Sequence, residues 1–279
     1  MKPGYSTNSL DSGDPLALLP TLVDCGCRSL AITPDTHLLN PYGSDFSGEV
    51  ARWQRELRQA GLACVIETGA RHLLDPREKH EPTLLSAAAT ARQRRIDFLC
   101  RAIDLAAELR ADCVSLWAGV VHDAAGEEVL WERLLAGMQP VLAHAERQQV
   151  RLGFEPEPGM FIDTVARAEQ LLQRLGSPPT LGLTLDIGHL ECLGERPLDQ
   201  TVRRVVDRIV NVHVDDMLCC RHEHLPLGSG EVAFGPVLYE LARGGYAGGL
   251  HVELPRQSHR WLVTARQSLA FLHRELECL

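Results

Sequence analysis

The sequence predicts a single α/β domain, a closed (β/α)8 barrel, on three observations. Short apolar runs alternate with helical-looking stretches long enough to make parallel crossovers, and the alternation repeats eight times. The chain has 279 residues, which suits eight such units in one ring better than an open doubly wound sheet. No Ser/Gly-rich linker or shift in composition divides it, and no G-x-G-x-x-G follows the first strand, which lowers the dinucleotide-binding alternative.

Taken in order, the first strand is read at Gly4–Leu10 and the first helix at Pro15–Cys25, followed by Arg28–Thr33 and Phe46–Ala60. Leu62–Glu67 and the long amphipathic stretch Thr90–Leu109 make the third pair, Asp112–Trp117 and Glu127–Gln148 the fourth. Arg151–Glu155 leads to a helix over Asp163–Leu175, Leu181–Asp186 to one over Leu198–Arg208, and Ile209–His213 to one over Phe234–Gly244. Gly249–Glu253 is the last strand, and Ser258–Glu277 closes the chain as helix.

Strands five to eight carry the functional signal. The run Ile209-Val210-Asn211-Val212 reads as a strand buried on both faces, yet it ends in His213 with Asp215 and Asp216 close behind. The other three runs end in Glu155, Asp186 and Glu253. In a barrel of this kind functional groups stand at the C-terminal ends of the strands, which is where all four fall. Singly, each has a plainer use: an acid at a helix N-terminus, a cap, or a hydrogen-bonded core histidine. Together, three carboxylates on one apolar rim repel one another and are costly to desolvate unless a cation neutralises them.

A shared metal site therefore accounts for the four better than four separate structural roles. Three carboxylates and one imidazole are a mainly hard set suited to Mn²⁺ or Mg²⁺, with Co²⁺, Fe²⁺ or Zn²⁺ acceptable because imidazole is borderline. Glu155 and Glu253, three strands apart, would face one another across the ion. That arrangement suits proton abstraction and return at the carbon beside a carbonyl, through an enediolate.

Composition narrows the class further. The formal charge is −9, with 37 acidic against 28 basic residues, which removes the electrostatic footprint of a nucleic-acid binder and favours a small polar substrate. Nine cysteines, an odd number without C-x-x-C pairs, read as buried thiols and not as disulfides or a zinc site. With no leader-like start at Met1-Lys2-Pro3-Gly4-Tyr5 and no membrane-length apolar run, a cytoplasmic protein is expected.

The residues resemble the sugar isomerase/epimerase branch of the xylose-isomerase-like TIM barrels, which includes ketose 3-epimerases, hydroxypyruvate isomerase, inosose dehydratase and, more distantly, endonuclease IV. The resemblance covers nearly the whole chain and is sharpest at Gly153-Phe154-Glu155, Leu185-Asp186-Ile187-Gly188-His189, Val212-His213-Val214-Asp215-Asp216, His224 to Glu231, and Val252-Glu253. It implies that Glu155, Asp186, His213 and Glu253 bind one divalent metal, that Glu155 and Glu253 double as the acid/base pair, and that His189 touches a substrate oxygen. His189 could equally hydrogen-bond Asp186 from behind.

Departures from the family pattern matter too. Pro156 stands where family epimerases often carry Asn, and Met217 and Leu218 occupy the region of an expected substrate-binding Arg, leaving Arg221 as the nearest candidate. His222-Glu223-His224 precedes the glycine turn where endonuclease IV has an Asp-x-His pair, so a second metal at His222 and His224 is an open expectation. Against a trinuclear centre, the fourth strand ends in Ser115-Leu116-Trp117 without a histidine.

Trp117 is a candidate for stacking on a sugar face, or simply a core-edge aromatic. The loop from Glu67 to His72 and the polar stretch beyond it offer Arg71, His72, Lys79 and His80 as a substrate wall, or merely a solvated surface turn. A metal-dependent dehydratase or lyase, an endonuclease IV-like nuclease and a non-catalytic accessory protein are the alternatives to an isomerase or epimerase. The expected partner is a small carbohydrate-like molecule, with neither nucleic acid nor membrane, and a homo-oligomer is compatible with the sequence.

Overall fold

A computed structural model describes all of residues 1–279. Eight parallel strands close into a barrel: β1 (Lys2–Ser6), β2 (Ser29–Ile32), β3 (Ala63–Glu67), β4 (Val114–Leu116), β5 (Leu152–Phe154), β6 (Leu181–Asp186), β7 (Ile209–Val214) and β10 (Gly249–Val252). They pair in chain order around the ring, and β10 closes it by pairing with β1. The eight strands expected from the alternation are therefore the eight staves of the barrel.

The helices lie outside and bury one face each. In α2 (Phe46–Ala60), Val50, Trp53 and Leu57 fall on one stripe and are buried, and Gly61 at φ 63° ends the helix in the left-handed conformation that glycine tolerates. In α5 (Val165–Arg174), Val165, Ala168, Leu171 and Leu172 form the stripe, and the Thr164 hydroxyl accepts the Arg167 N–H at 3.3 Å to cap the first turn. Together with α3 (Ala89–Leu109), α4 (Glu127–Gln148), α7 (Leu198–Val205), α8 (Phe234–Arg243) and α9 (Trp261–Glu277), they cover the sheet with one continuous core of 63 buried residues, as a single domain requires. No helix is long and apolar enough to cross a membrane.

Three differences from the expected elements lie near the rim. The first strand stops at Ser6, and Thr7–Ser9 turns as a 3₁₀ segment, which lifts Asn8 onto the barrel mouth. The first helix is split into a 3₁₀ turn over Pro15–Leu18 and α1 (Leu19–Asp24). A short helix, α6 (Ile187–Cys192), follows β6 directly, and a two-stranded hairpin of β8 (Asp216–Leu218) and β9 (Arg221–Leu225) follows β7.

The barrel interior is polar where an apolar plug is common. Thr184 donates to Ser115 Oγ at 2.9 Å, Asn211 Nδ2 donates to Glu67 Oε1 at 3.0 Å, and His251 joins Asn211 Oδ1 to Ser29 Oγ, both at 2.9 Å. Gly4 and Gly249 make room for the His251 ring, since a Cβ at either would lie 2.6 Å or less from it. Each buried polar group on this path has a partner, which offsets the cost of taking it out of water.

Candidate active site

Three of the four residues named from strand ends come together at the C-terminal mouth of the barrel, while Glu253 reaches His213 without joining their group. One carboxylate oxygen each from Glu155 and Asp186 and one ring nitrogen of His213 lie within 4.8 Å of one another, and all three residues are buried. His213 Nδ1 is 2.9 Å from Glu155 Oε1 and 3.1 Å from Glu253 Oε2. Asp186 sits beside His213 in the sheet register. Its Oδ1 accepts the His189 backbone N–H at 3.0 Å, so the expected cap is real, while its Oδ2 is buried without any hydrogen-bond partner.

Two acidic side chains converging on one imidazole nitrogen, next to an orphaned carboxylate oxygen, form a place that calls for positive charge. Burial pushes the Glu155 carboxyl up to about 7 even though His213 pulls it down. Burial alone would lower His213, yet Glu67, Glu155 and Glu253 hold it well above its ordinary value. In metal-free protein that imidazolium is the cation joining the acids. The residues present fit a divalent ion as its replacement: oxygen-rich, buried, converging, and with Nδ1 as the one nitrogen donor.

The structure adds residues that strand ends did not single out. Glu67, at the end of β3, accepts from His213 Nε2 at 2.8 Å and from Asn211, so the imidazole is clamped on its far side. Burial would raise its pKa, but the neighbouring His213 charge outweighs this and holds it low. The Asn8 amide donates to Glu253 Oε1. Glu157, two residues past Glu155, lines the same cavity; burial first, then Glu155 and Glu253, hold its carboxyl well above the usual range.

His189 lines the cavity, with Nδ1 3.3 Å from the Pro156 carbonyl and Nε2 buried without a partner. Burial draws its pKa down to about 3, so it is neutral. Nδ1–H is then the donor to Pro156, and Nε2 presents a lone pair. His189, His222 and His224 stand together with ring centroids 5.0 to 5.9 Å apart. Burial would lower His224, but the Asp215 side chain bonded to its Nδ1 holds it up at about 10, while burial and then Asp186 hold Asp215 well above the usual carboxylate range, so the pair shares a proton across that bond. Trp117 lines the cavity with the Arg95 guanidinium 4.3 Å from its ring centroid.

Two of the expected substrate contacts lie outside the cavity lining. Arg221 starts the outer strand of the hairpin, is exposed, and pairs with Glu223 at 3.2 Å, away from the cavity. His72 is exposed and lies outside the lining, whereas Arg71, Lys79 and His80 of the same region line it. The basic residue that the last strand brings in is Arg256, in the 3₁₀ turn just after β10. Asp216 accepts the N–H groups of Met217, Gly228 and Val232, so it ties the hairpin to the glycine turn, and Asp215 serves His224 and not His213.

Eight parallel strands with an acid-and-imidazole cluster at their C-terminal rim define a (β/α)8 barrel with its candidate site on the strand ends. A family model for the xylose isomerase-like TIM barrel matches residues 19–275, and the chain belongs to that family. Among curated relatives, the L-ribulose-5-phosphate 3-epimerase UlaE of Escherichia coli is 25% identical over 219 residues, spanning 78% of this chain and 74% of that protein.

Among solved structures, a D-tagatose 3-epimerase-like protein superposes with a TM-score of 0.81 at 19% identity, covering 100% of this chain and 98% of that one. A D-allulose 3-epimerase from Methylomonas sp. gives 0.79 at 18% identity, covering 99% and 98%. At these identities the superpositions establish the shared fold.

Proposed function

We propose that this chain is a divalent-metal-dependent epimerase of a small ketose, with Glu155 and Glu253 as the acid/base pair beside the carbonyl. That it is an enzyme of the sugar isomerase/epimerase class rests on its family and on the names of its relatives. The observation that carries the finer reading is the approach of Glu155 and Glu253, from strands three apart, to the same nitrogen of His213.

Glu155, Asp186, His213 and Glu253 would hold the ion, Mn²⁺ or Mg²⁺ by the hardness of the set. When bound, such an ion polarises a ketose carbonyl and acidifies the neighbouring C–H. One carboxylate then takes the proton from one face, and the other returns a proton to the opposite face, which inverts the carbon. His189 Nε2 accepts a substrate hydroxyl, and His224, its Nδ1 tied to Asp215, offers Nε2 to the substrate. That bond takes one ring nitrogen of His224, which favours substrate contact over a second metal at His222 and His224, so one tightly held ion per chain is expected. Trp117 supplies an apolar wall for a sugar face. A reducing cytoplasm suits the nine thiols.

The test is a panel of ketoses incubated with metal-loaded protein in D₂O. Deuterium entering at one carbon next to the carbonyl, with appearance of the epimer, is expected. Loss of water from the substrate would move the assignment to a dehydratase, and exchange into none of the ketoses would sink it.

A further inference from the structure

The cavity above the acidic centre has a second pole. It has a volume of about 400 Å³, and its wall carries Arg71, Lys79 and Arg256. Lys79 and Arg71 form no ion pair, and the carboxylate nearest Arg256 is Glu223 at 3.9 Å. None of these cations forms an ion pair with Glu67, Glu155, Glu157 or Glu253, whose partners are histidines.

The three cations share one cavity wall with His80 and His222. Burial first, then Lys79, Arg95 and Arg71, draw His80 down to about 4, so Lys79 and Arg71 act on one ring. Burial and His224 lower His222, with Arg256 and Lys79 adding to the effect. The backbone joins in: the His80 N–H donates to the Arg71 carbonyl at 2.7 Å, while His80 itself sits at φ 69°. A histidine held in the left-handed region costs on the order of 1 kcal/mol, and such cost is commonly retained where a loop must present a side chain to a ligand. Its ring leans on Trp117 with centroids 5.4 Å apart.

We propose that Arg71, Lys79 and Arg256 form a subsite for a phosphate monoester at the far end of the substrate, so that the ketose acted on is a sugar phosphate. This deepens the epimerase reading and rests on it. A phosphate monoester carries about −1.5 to −2 charge at neutral pH and three acceptor oxygens, which matches three cations, two of them without an ion pair and the third only loosely paired, better than a single carboxylate does. The acidic centre would repel that group, so the ester can lie in one direction only, phosphate at the cations and carbonyl at the carboxylates. The cavity volume is within the range that small-ligand sites occupy.

Two measurements decide it. In the first, kcat/KM of the metal-loaded enzyme is compared for a ketopentose 5-phosphate, the same free ketopentose and a ketose carrying a terminal carboxylate. The phosphate is expected to lead by about 100-fold, the equivalent of about 2.7 kcal/mol. The lead should shrink at least tenfold in Lys79→Met and in Arg256→Met, mainly through KM. Equal kcat/KM for ester and free sugar, or a lead for the carboxylate, would overturn the subsite while leaving the epimerase assignment standing.

The second needs no turnover. Inorganic phosphate titrated calorimetrically into folded wild-type protein should bind, and Lys79→Met should weaken it at least tenfold. Absent or equal binding in the two proteins rejects the subsite whatever the reaction is.

Discussion

Glu67 Oε1 lies 2.8 Å from Nε2 of His213, on the side of the ring opposite the nitrogen that faces Glu155 and Glu253. Asn211 Nδ2 donates to the same oxygen at 3.0 Å, and Asn211 Oδ1 in turn accepts from His251 Nδ1 at 2.9 Å. A carboxylate oxygen can only accept, so His213 Nε2 carries a proton toward Glu67, and Nδ1 is the nitrogen that would give up its proton to meet a metal on the carboxylate side.

Glu67 should therefore act on the metal through the histidine. Partners of this kind usually alter metal affinity by 10- to 100-fold. Glu67→Gln is expected to weaken Mn²⁺ binding by about that factor in equilibrium titration, with the far-UV spectrum unchanged. Wild-type affinity in the variant would show that the contact only fills the barrel.

Glu155→Gln and Glu253→Gln test the proton relay. Each should lower the rate of solvent-deuterium exchange into substrate by about 10³-fold, within the 10²- to 10⁴-fold that general acid–base groups commonly contribute. Each variant loses one of four ligands, so metal content is measured alongside at saturating Mn²⁺. Exchange at the wild-type rate in both metal-loaded variants would remove the two glutamates from the chemistry.

Acid should destabilise the fold through its buried neutral histidines. Burial holds His251 down at about 3 against an ordinary 6.5, and His80 at about 4 for the same first cause. Between the folded and unfolded values the unfolded chain binds a proton that the fold refuses, so stability is complete above about pH 6.5 and falls as pH drops toward 3. The slope is roughly 1.4 kcal/mol per pH unit for each such group at most. Urea midpoints at pH 7 and pH 5 should differ in wild type, and His251→Gln should reduce that difference.

The fold and half of the site were legible because they depend on local pattern. Apolar runs and amphipathic stretches gave the eight staves, and Glu155, Asp186, His213 and Glu253 showed themselves as polar groups ending apolar strands. Glu67 also ends a strand, but its partner Asn211 is 144 residues away and nothing local distinguishes it from an acid at a loop start. Arg221 was closer in sequence to the His213 strand than Arg256, yet the β8–β9 hairpin carries it outward. His72 and Arg71 are adjacent, and the bonds that hold Arg71, to His80, Asp35 and Asn8, join it to distant parts of the chain that no local pattern shows. α6 has six residues, too few for a helical period to show.

The most direct measurement is anomalous X-ray scattering from crystals soaked in Mn²⁺. One strong peak is expected, about 2.0 to 2.3 Å from oxygens of Glu155, Asp186 and Glu253 and from His213 Nδ1. A peak among His189, His222 and His224 instead, or none between the four strand ends, would contradict the account.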